Sequence, residues 1–187
     1  MSDGNNVIVV VIRSANVSDL PPLPDIERAA GAAFAEIGME QVANGALPSV
    51  AELEVYRDGG RCWVAVEQDD GRPGGGRDPV AYIIVDSIDG CAHIEQVSVD
   101  PDAARRGIGR LLIKHVERWA ARSGLTATTL TTFIEVPWNG PYYLRLGYRY
   151  LEPQELTPGL REIRAAEAAA GLDRWPRAAM RKDLTTA

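Results

Sequence analysis

Three arginines and two glycines meet at one point of this 187-residue chain, in Arg105-Arg106-Gly107-Ile108-Gly109-Arg110. The chemistry such a group offers is anion binding. Glycine lets the backbone come close to a ligand, and arginine brings a fixed positive charge. The flanking residues strengthen this reading. A β-branched run ends at Asp100-Pro101, and an amphipathic helix begins inside the group itself. In that helix Ile108, Leu111, Leu112, Val116, Trp119 and Ala120 recur at three-and-four spacing, which predicts one buried face. The first amides of a helix have no partner within it, and the helix dipole adds positive potential there. A strand, a glycine turn and a helix N-terminus in succession read as a pyrophosphate cradle.

The rest of the composition narrows the context. Hydrophobic residues make up 45% and charged residues 25%, which suits a single globular domain over residues 1–187. The formal net charge is −6, so a nucleic-acid-binding surface is not expected. The arginine group is then a local basic patch on an acidic chain, which suits a small anionic ligand. Cys62 and Cys91 lie in or beside strand-like runs and do not form a disulfide framework. The two histidines and two cysteines do not cluster in sequence, so no metal is expected. No apolar run approaches membrane-spanning length, and the apolar residues 7–12 lack a basic flank and read as a strand rather than a signal. The expectation is a cytoplasmic protein with neither nucleic acid nor membrane as partner.

The elements that must position the turn follow from patterning. Residues 6–13 read as a first strand. Pro24-Asp25 opens a helix with Ile26, Ala30, Ala33, Phe34 and Ile37 on its buried face, stopped by Gly38. Ser49-Val50-Ala51-Glu52 matches a capping box, so a short helix runs to about Arg57. Strands follow at 61–68, 80–87 and 91–99. Residues 69–79 between the first two carry four glycines and read as a mobile hairpin loop, and Asp89-Gly90 gives a tight hairpin between the last two. After the central helix, Ser123-Gly124 stops it and 125–134 is a threonine-rich fifth strand. Strand, helix, strand in that order implies a parallel pair with a right-handed crossover. A short helix from Asn139 to about Leu146, a strand at 148–151, a helix with Thr157 at its cap and Pro158 at its first position, and a last strand at 177–183 complete the chain.

This order, with the basic glycine turn after the fourth strand, resembles the GCN5-related N-acetyltransferase (GNAT) superfamily over roughly residues 8–150. Two motifs carry the resemblance. Residues 104–109 are similar to the family's acetyl-CoA loop, Gln/Arg-x-x-Gly-x-Gly/Ala, with Ala104 at the first position in place of Gln or Arg. That departure removes one side chain but leaves the amides. Tyr143-Leu144-Arg145-Leu146-Gly147-Tyr148 is similar to the family's Tyr-x-x-x-Gly-Phe ending. The resemblance implies an α/β (α+β) fold with a mixed, mostly antiparallel sheet flanked by helices. Its parallel strands four and five splay apart at a bulge in strand four. The pantetheine arm of acetyl-CoA is then expected along the backbone of Val97, Ser98 and Val99. The pyrophosphate is expected on the turn formed by Arg105, Arg106, Gly107, Ile108, Gly109 and Arg110, and Asn139 reads as a CoA contact or a helix cap.

Acetyl transfer to an amine needs a base that leaves the amine neutral, donors for the thioester oxygen, and an acid for the departing thiolate. The resemblance puts Tyr143 at the acid position, with Tyr142 beside it structural. Glu95 is the leading base. It alternates with Val97 and Val99 on the cleft face, could act through water, and burial there would raise its pKa. His93, two residues earlier on the same face, is the second candidate, and Glu135 at the end of strand five the third. His115 reads as packing or surface. Trp63, Trp119, Trp138 and Trp175 read as core or cleft wall. The alanine-rich 162–170 helix can pack on the domain or on a second copy of the chain, which leaves a homodimer open.

The function expected is acetyl-CoA-dependent acetylation of a primary amine by direct transfer in a ternary complex, on a small-molecule or protein acceptor, with acetyl-CoA as co-substrate and no metal. A non-catalytic acyl-CoA-binding regulatory module is the alternative. Another nucleotide binder is disfavoured, because a Walker lysine and a full Gly-x-Gly-x-x-Gly turn are missing.

Overall fold

The computed structural model describes residues 8–69 and 78–184. The glycine-rich hairpin loop and the first two residues of the expected first strand lie outside them. Seven strands hydrogen-bond in the order β1-β2-β3-β4-β5-β7-β6. They are β1 (Ile8–Ser14), β2 (Cys62–Asp69), β3 (Pro79–Ile88), β4 (Cys91–Val99), β5 (Ala127–Phe133), β6 (Arg149–Tyr150) and β7 (Arg177–Asp183). The helices are α1 (Leu23–Ala35), α2 (Glu40–Ala43), α3 (Val50–Asp58), α4 (Ile108–Arg122), α5 (Gly140–Arg145) and α6 (Pro158–Ala169). The described residues fall into two compact units. The first lies within Met1–Ile84 and Gln96–Ile113, the second within Val85–Glu95 and Lys114–Ala187.

In the first unit β1 and β2 pair antiparallel from Ile8↔Asp69 to Ser14↔Trp63, and β2 pairs antiparallel with β3. The core gathers Leu20, Leu23, Ile26, Leu53, Val64, Val66 and Tyr82, with Val11 and Tyr56 packed against it. The capping box forms as the sequence dictates. Glu52 N–H donates to Ser49 Oγ (3.2 Å) while Ser49 N–H donates to Glu52 Oε2 (2.7 Å). In α1 the buried positions are Leu23 and Ile26, and Ile37 is exposed instead of buried. The helix has ended at Ala35, so the three-and-four spacing no longer aims Ile37 inward; buried Met39 follows it. The central helix is rotated a little from the expected stripe. Leu111 is 42% exposed and Ile113 takes a core place, alongside Ile108, Leu112, Val116 and Ala120.

In the second unit the β3–β4 hairpin turns on Asp89 (φ 49°) and Gly90 (φ 74°), both in the left-handed region that a two-residue turn of this hand requires. β5 runs parallel to β4 and antiparallel to β7. This is the parallel pair that the strand–helix–strand order implies. Asp89 has a second task. Its carboxylate accepts from Gly159 N–H (2.8 Å) in the first turn of α6. Thr157, expected to cap that helix, makes no such bond, and its Oγ1 is buried without a partner among the described residues. A carboxylate at a helix N-terminus is the better match for the dipole. α6 packs through Leu160, Ile163 and the Glu167 side, while Ala165, Ala166, Ala168 and Ala169 face outward. No described helix is long and apolar enough to cross a membrane.

Candidate active site

The basic turn belongs to the first unit. β4 ends at Val99, and Asp100 N–H donates to Val80 O (2.8 Å), which ties the strand end to β3. A short 3₁₀ turn over Pro101–Ala103 follows, held by Asp100 Oδ1 accepting from Asp102 N–H (2.9 Å). Then the backbone turns left-handed at two positions. Arg105 has φ 60° and Gly107 φ 78°. Left-handed backbone costs an arginine roughly 1–2 kcal/mol, so its presence marks a turn whose shape matters. The first bond of α4 runs from Leu111 N–H to Gly107 O (3.0 Å), so the amides of Ile108, Gly109 and Arg110 precede it and carry the open N-terminal donors. A Cβ built on Gly107 meets no atom of the described residues within 4 Å.

The three arginines differ in what holds them. Arg105 and Arg110 are exposed, whereas Arg106 pairs with Glu67 of β2. That partner lies 39 residues away, and no local pattern could reveal it. Upstream, Val97 and Val99 are half-buried and Ser98 is buried, its Oγ accepting from Gln96 Nε2 (2.8 Å). Among the described residues the β4–β5 ladder consists of two pairs, Ala92↔Thr128 and His93↔Thr129. The backbone of 97–99 therefore lies beyond the last of those pairs.

The titratable candidates fall in the second unit. His93 is buried, with Nδ1 3.0 Å from Thr129 Oγ1. Burial pushes its pKa down, partly opposed by Asp86 and Glu167, so the imidazole is neutral at pH 7. Its Nε2 lies 4.0 Å from Glu95 Oε2, which puts the two side chains on one face as the alternation required. The Glu95 side chain is 49% exposed, so the expected burial of this carboxylate is not what the structure has. Glu135 is exposed beyond the end of β5.

Tyr143 sits in α5, which is fixed by a close approach. A Cβ on Gly140 would lie 2.8 Å from Ile134 O and 3.0 Å from Phe133 O, so only glycine lets this helix start against the end of β5. The Tyr143 ring packs edge-on between Tyr142 (5.5 Å) and Tyr148 (5.7 Å). Burial, helped by Tyr142, raises its phenol well above the ordinary value. Tyr148 is held by Thr128, whose Oγ1 donates to its hydroxyl (2.9 Å). Lys182 closes the far end of α5, with Nζ 2.8 Å from both Leu146 O and Glu117 Oε1. Asn139 precedes α5 but makes no side-chain cap bond, and Trp138 is 40% exposed rather than core.

The model of the acetyltransferase (GNAT) family matches residues 32–148. The chain belongs to that family, and its class of enzyme is N-acetyltransferase. Solved structures agree on the fold. An acetyltransferase of the GNAT family from Staphylococcus aureus superposes with a TM-score of 0.67 at 15% identity, over 95% of this chain and 100% of that one. The ribosomal-protein-S18-alanine N-acetyltransferase of Escherichia coli gives 0.62 at 19% identity, over 96% of both chains. The PaiA N-acetyltransferase of Thermoplasma acidophilum, solved in complex with coenzyme A, gives 0.63 at 14% identity, over 94% of this chain and 99% of that one.

Proposed function

We propose that this protein transfers an acetyl group from acetyl-CoA directly to a primary amine while both are bound. The observation that carries this is the turn at 105–110. An arginine and a glycine in left-handed backbone precede the N-terminus of α4, and two exposed arginines flank it. Its amides and arginines fit a pyrophosphate, and the backbone of Val97, Ser98 and Val99 offers the edge along which a pantetheine arm pairs. Asn139, with no cap bond to make, adds a further contact to CoA.

Acetyl-CoA bound there supplies the thioester carbonyl. The chain supplies the rest. Glu95, with half of its side chain open, takes the proton that must leave the ammonium before nitrogen can attack, directly or through a water. His93 is too buried to reach an acceptor itself, and Glu135 lies beyond the end of β5. Tyr143 donates a hydrogen bond to the departing thiolate. Direct transfer is supported by the state of the thiols. Cys62 and Cys91 are both buried, and burial together with Asp19 pushes the Cys62 thiol up to about 12. The acceptor is a small molecule or a protein amine. The acidic balance of the chain favours a cationic one such as a polyamine or a lysine side chain.

Thermal unfolding with acetyl-CoA, ATP and NAD tests the root of this reading. Ligand at about a hundred times its dissociation constant adds roughly 2.7 kcal/mol, a Tm rise of about 5–10 °C for a chain of this size. A rise with acetyl-CoA alone is expected, followed by turnover against an amine panel. No rise at saturation would overturn the proposal.

A further inference from the structure

We propose that His93 is a positioning residue for Glu95, gripped by Thr129 at the last rung of the β4–β5 ladder. The inference rests on the reading of Glu95 as the base. His93↔Thr129 is the final residue pair of that ladder, and the same two residues are joined by their side chains, Nδ1 to Oγ1 at 3.0 Å. The imidazole is therefore fixed where the parallel pairing ends. Its other nitrogen faces the carboxylate two residues further along the same face, at 4.0 Å.

The electrostatics choose a tautomer. With Nδ1 protonated, a nitrogen lone pair would face the Glu95 carboxylate. With Nε2 protonated, an N–H dipole faces it, and Nδ1 accepts from the Thr129 hydroxyl. Thr129 is buried, so its hydroxyl proton needs an acceptor, and Nδ1 supplies one. Glu95 on β4 faces Nε2, and Asp86 on β3 and Glu167 on α6 act on the ring from other elements; Glu167 is itself paired with Arg164 and Arg177, and Arg181 of β7, the neighbour of Thr129, is turned to Cys91 and Asp183. A neutral ring with its N–H turned to Glu95 holds the carboxylate in its ionised, proton-accepting form without adding a charge. At 4.0 Å the contact is a dipole–charge interaction rather than a hydrogen bond.

The test uses the full chain. Nitrogen NMR of histidine-labelled protein should find His93 protonated on Nε2, with the preference erased in Thr129→Val. In steady state, with spermidine and alanine amide as primary-amine probes, His93→Gln and Thr129→Val should each lower kcat by about three- to tenfold. Each should also move the acidic limb of kcat/KM up by about half to one pH unit, because the ionised carboxylate has lost its dipole. KM for acetyl-CoA should not change. Glu95→Gln should remove that limb and lower kcat by about 10²-fold or more. If Glu95→Gln keeps both limb and rate, the base assignment itself fails. If Glu95→Gln behaves as expected but the other two variants keep the wild-type limb, or the proton sits on Nδ1, the positioning role alone is overturned. Should His93→Gln fail to fold, Thr129→Val, which keeps the shape of the buried side chain, carries the test.

Discussion

Replacing Tyr143 by phenylalanine removes one oxygen and tests how the leaving group is handled. Burial holds the phenol above its ordinary value, with Tyr142 adding to the shift. A thiol leaves with a pKa near ~8.5, while a free phenol lies near ~10. Handing the proton fully to the thiolate is thus uphill by more than about 2 kcal/mol. Tyr143 therefore serves as a hydrogen-bond donor to the departing sulfur, and the proton that finally neutralises the sulfur is the one the attacking nitrogen sheds as the amide forms. A hydrogen bond to a charged group contributes about 1.5–3 kcal/mol, so Tyr143→Phe should lower kcat by about 10- to 150-fold. KM for acetyl-CoA should hold, because the bond strengthens as sulfur gains charge. Stability should hold as well, since the edge-on packing of the ring against Tyr142 and Tyr148 is kept. The assay is release of free CoA thiol across pH 6–9. The ratio of variant to wild type should be flat, because a raised phenol stays protonated throughout. A rate within twofold of wild type, or a ratio that varies steeply with pH, would refute the reasoning.

Two further outcomes concern the charges that hold the units together internally. Glu167 is bonded by Thr131, Arg164 and Arg177 with its side chain 14% exposed; burial raises its pKa, but those bonds outweigh it and the carboxyl sits below its usual value. Its contribution is present above the unfolded pKa and is lost as pH falls through the folded one. Glu167→Gln should cost about 3 kcal/mol at neutral pH, seen as a Tm lower by about 6–12 °C, with the gap closing in acid. Glu27 is the opposite case. Burial raises it despite the bond from the Tyr82 hydroxyl, so its favourable contribution is lost as pH rises through the folded pKa. Glu27→Gln keeps an acceptor for Tyr82 and should match wild type near pH 4 but melt higher at pH 7–8.

What could be read in the residues was whatever is local. The Asp89-Gly90 turn, the Ser49–Glu52 box and the glycine turn before α4 are fixed by backbone conformations that few residues adopt, so composition names them directly. Stripe reading failed where an element ended early, as at Ile37, or where a helix turned slightly, as at Leu111. The cap motif failed at Thr157, whose role passed to Asp89, a residue 70 positions from the amide it caps. The pairing of Arg106 with Glu67 was hidden for the same reason. Sequence spacing locates the Glu95 face but not its exposure, which depends on what packs beside it.

The threonines of β5 show how the second unit turns a strand into a fixture. Threonine has the stiff, branched shape that strands favour, with a hydroxyl where valine has a methyl. Leaving a buried hydroxyl unpaired is costly, so each such position favours one fixed contact. Thr128 donates to the Tyr148 hydroxyl and so braces the ring that packs on Tyr143. Thr129, on the opposite face, joins His93. Thr131, on the same face as Thr129, donates to Glu167 and anchors α6. One strand thus secures the turn beyond α5, the last rung of the parallel ladder and a helix. Valine at these places would keep the strand and its packing but would remove the directional bonds. The rings beside the proposed thiolate donor and base, Tyr148 and His93, are therefore each bonded to this one strand.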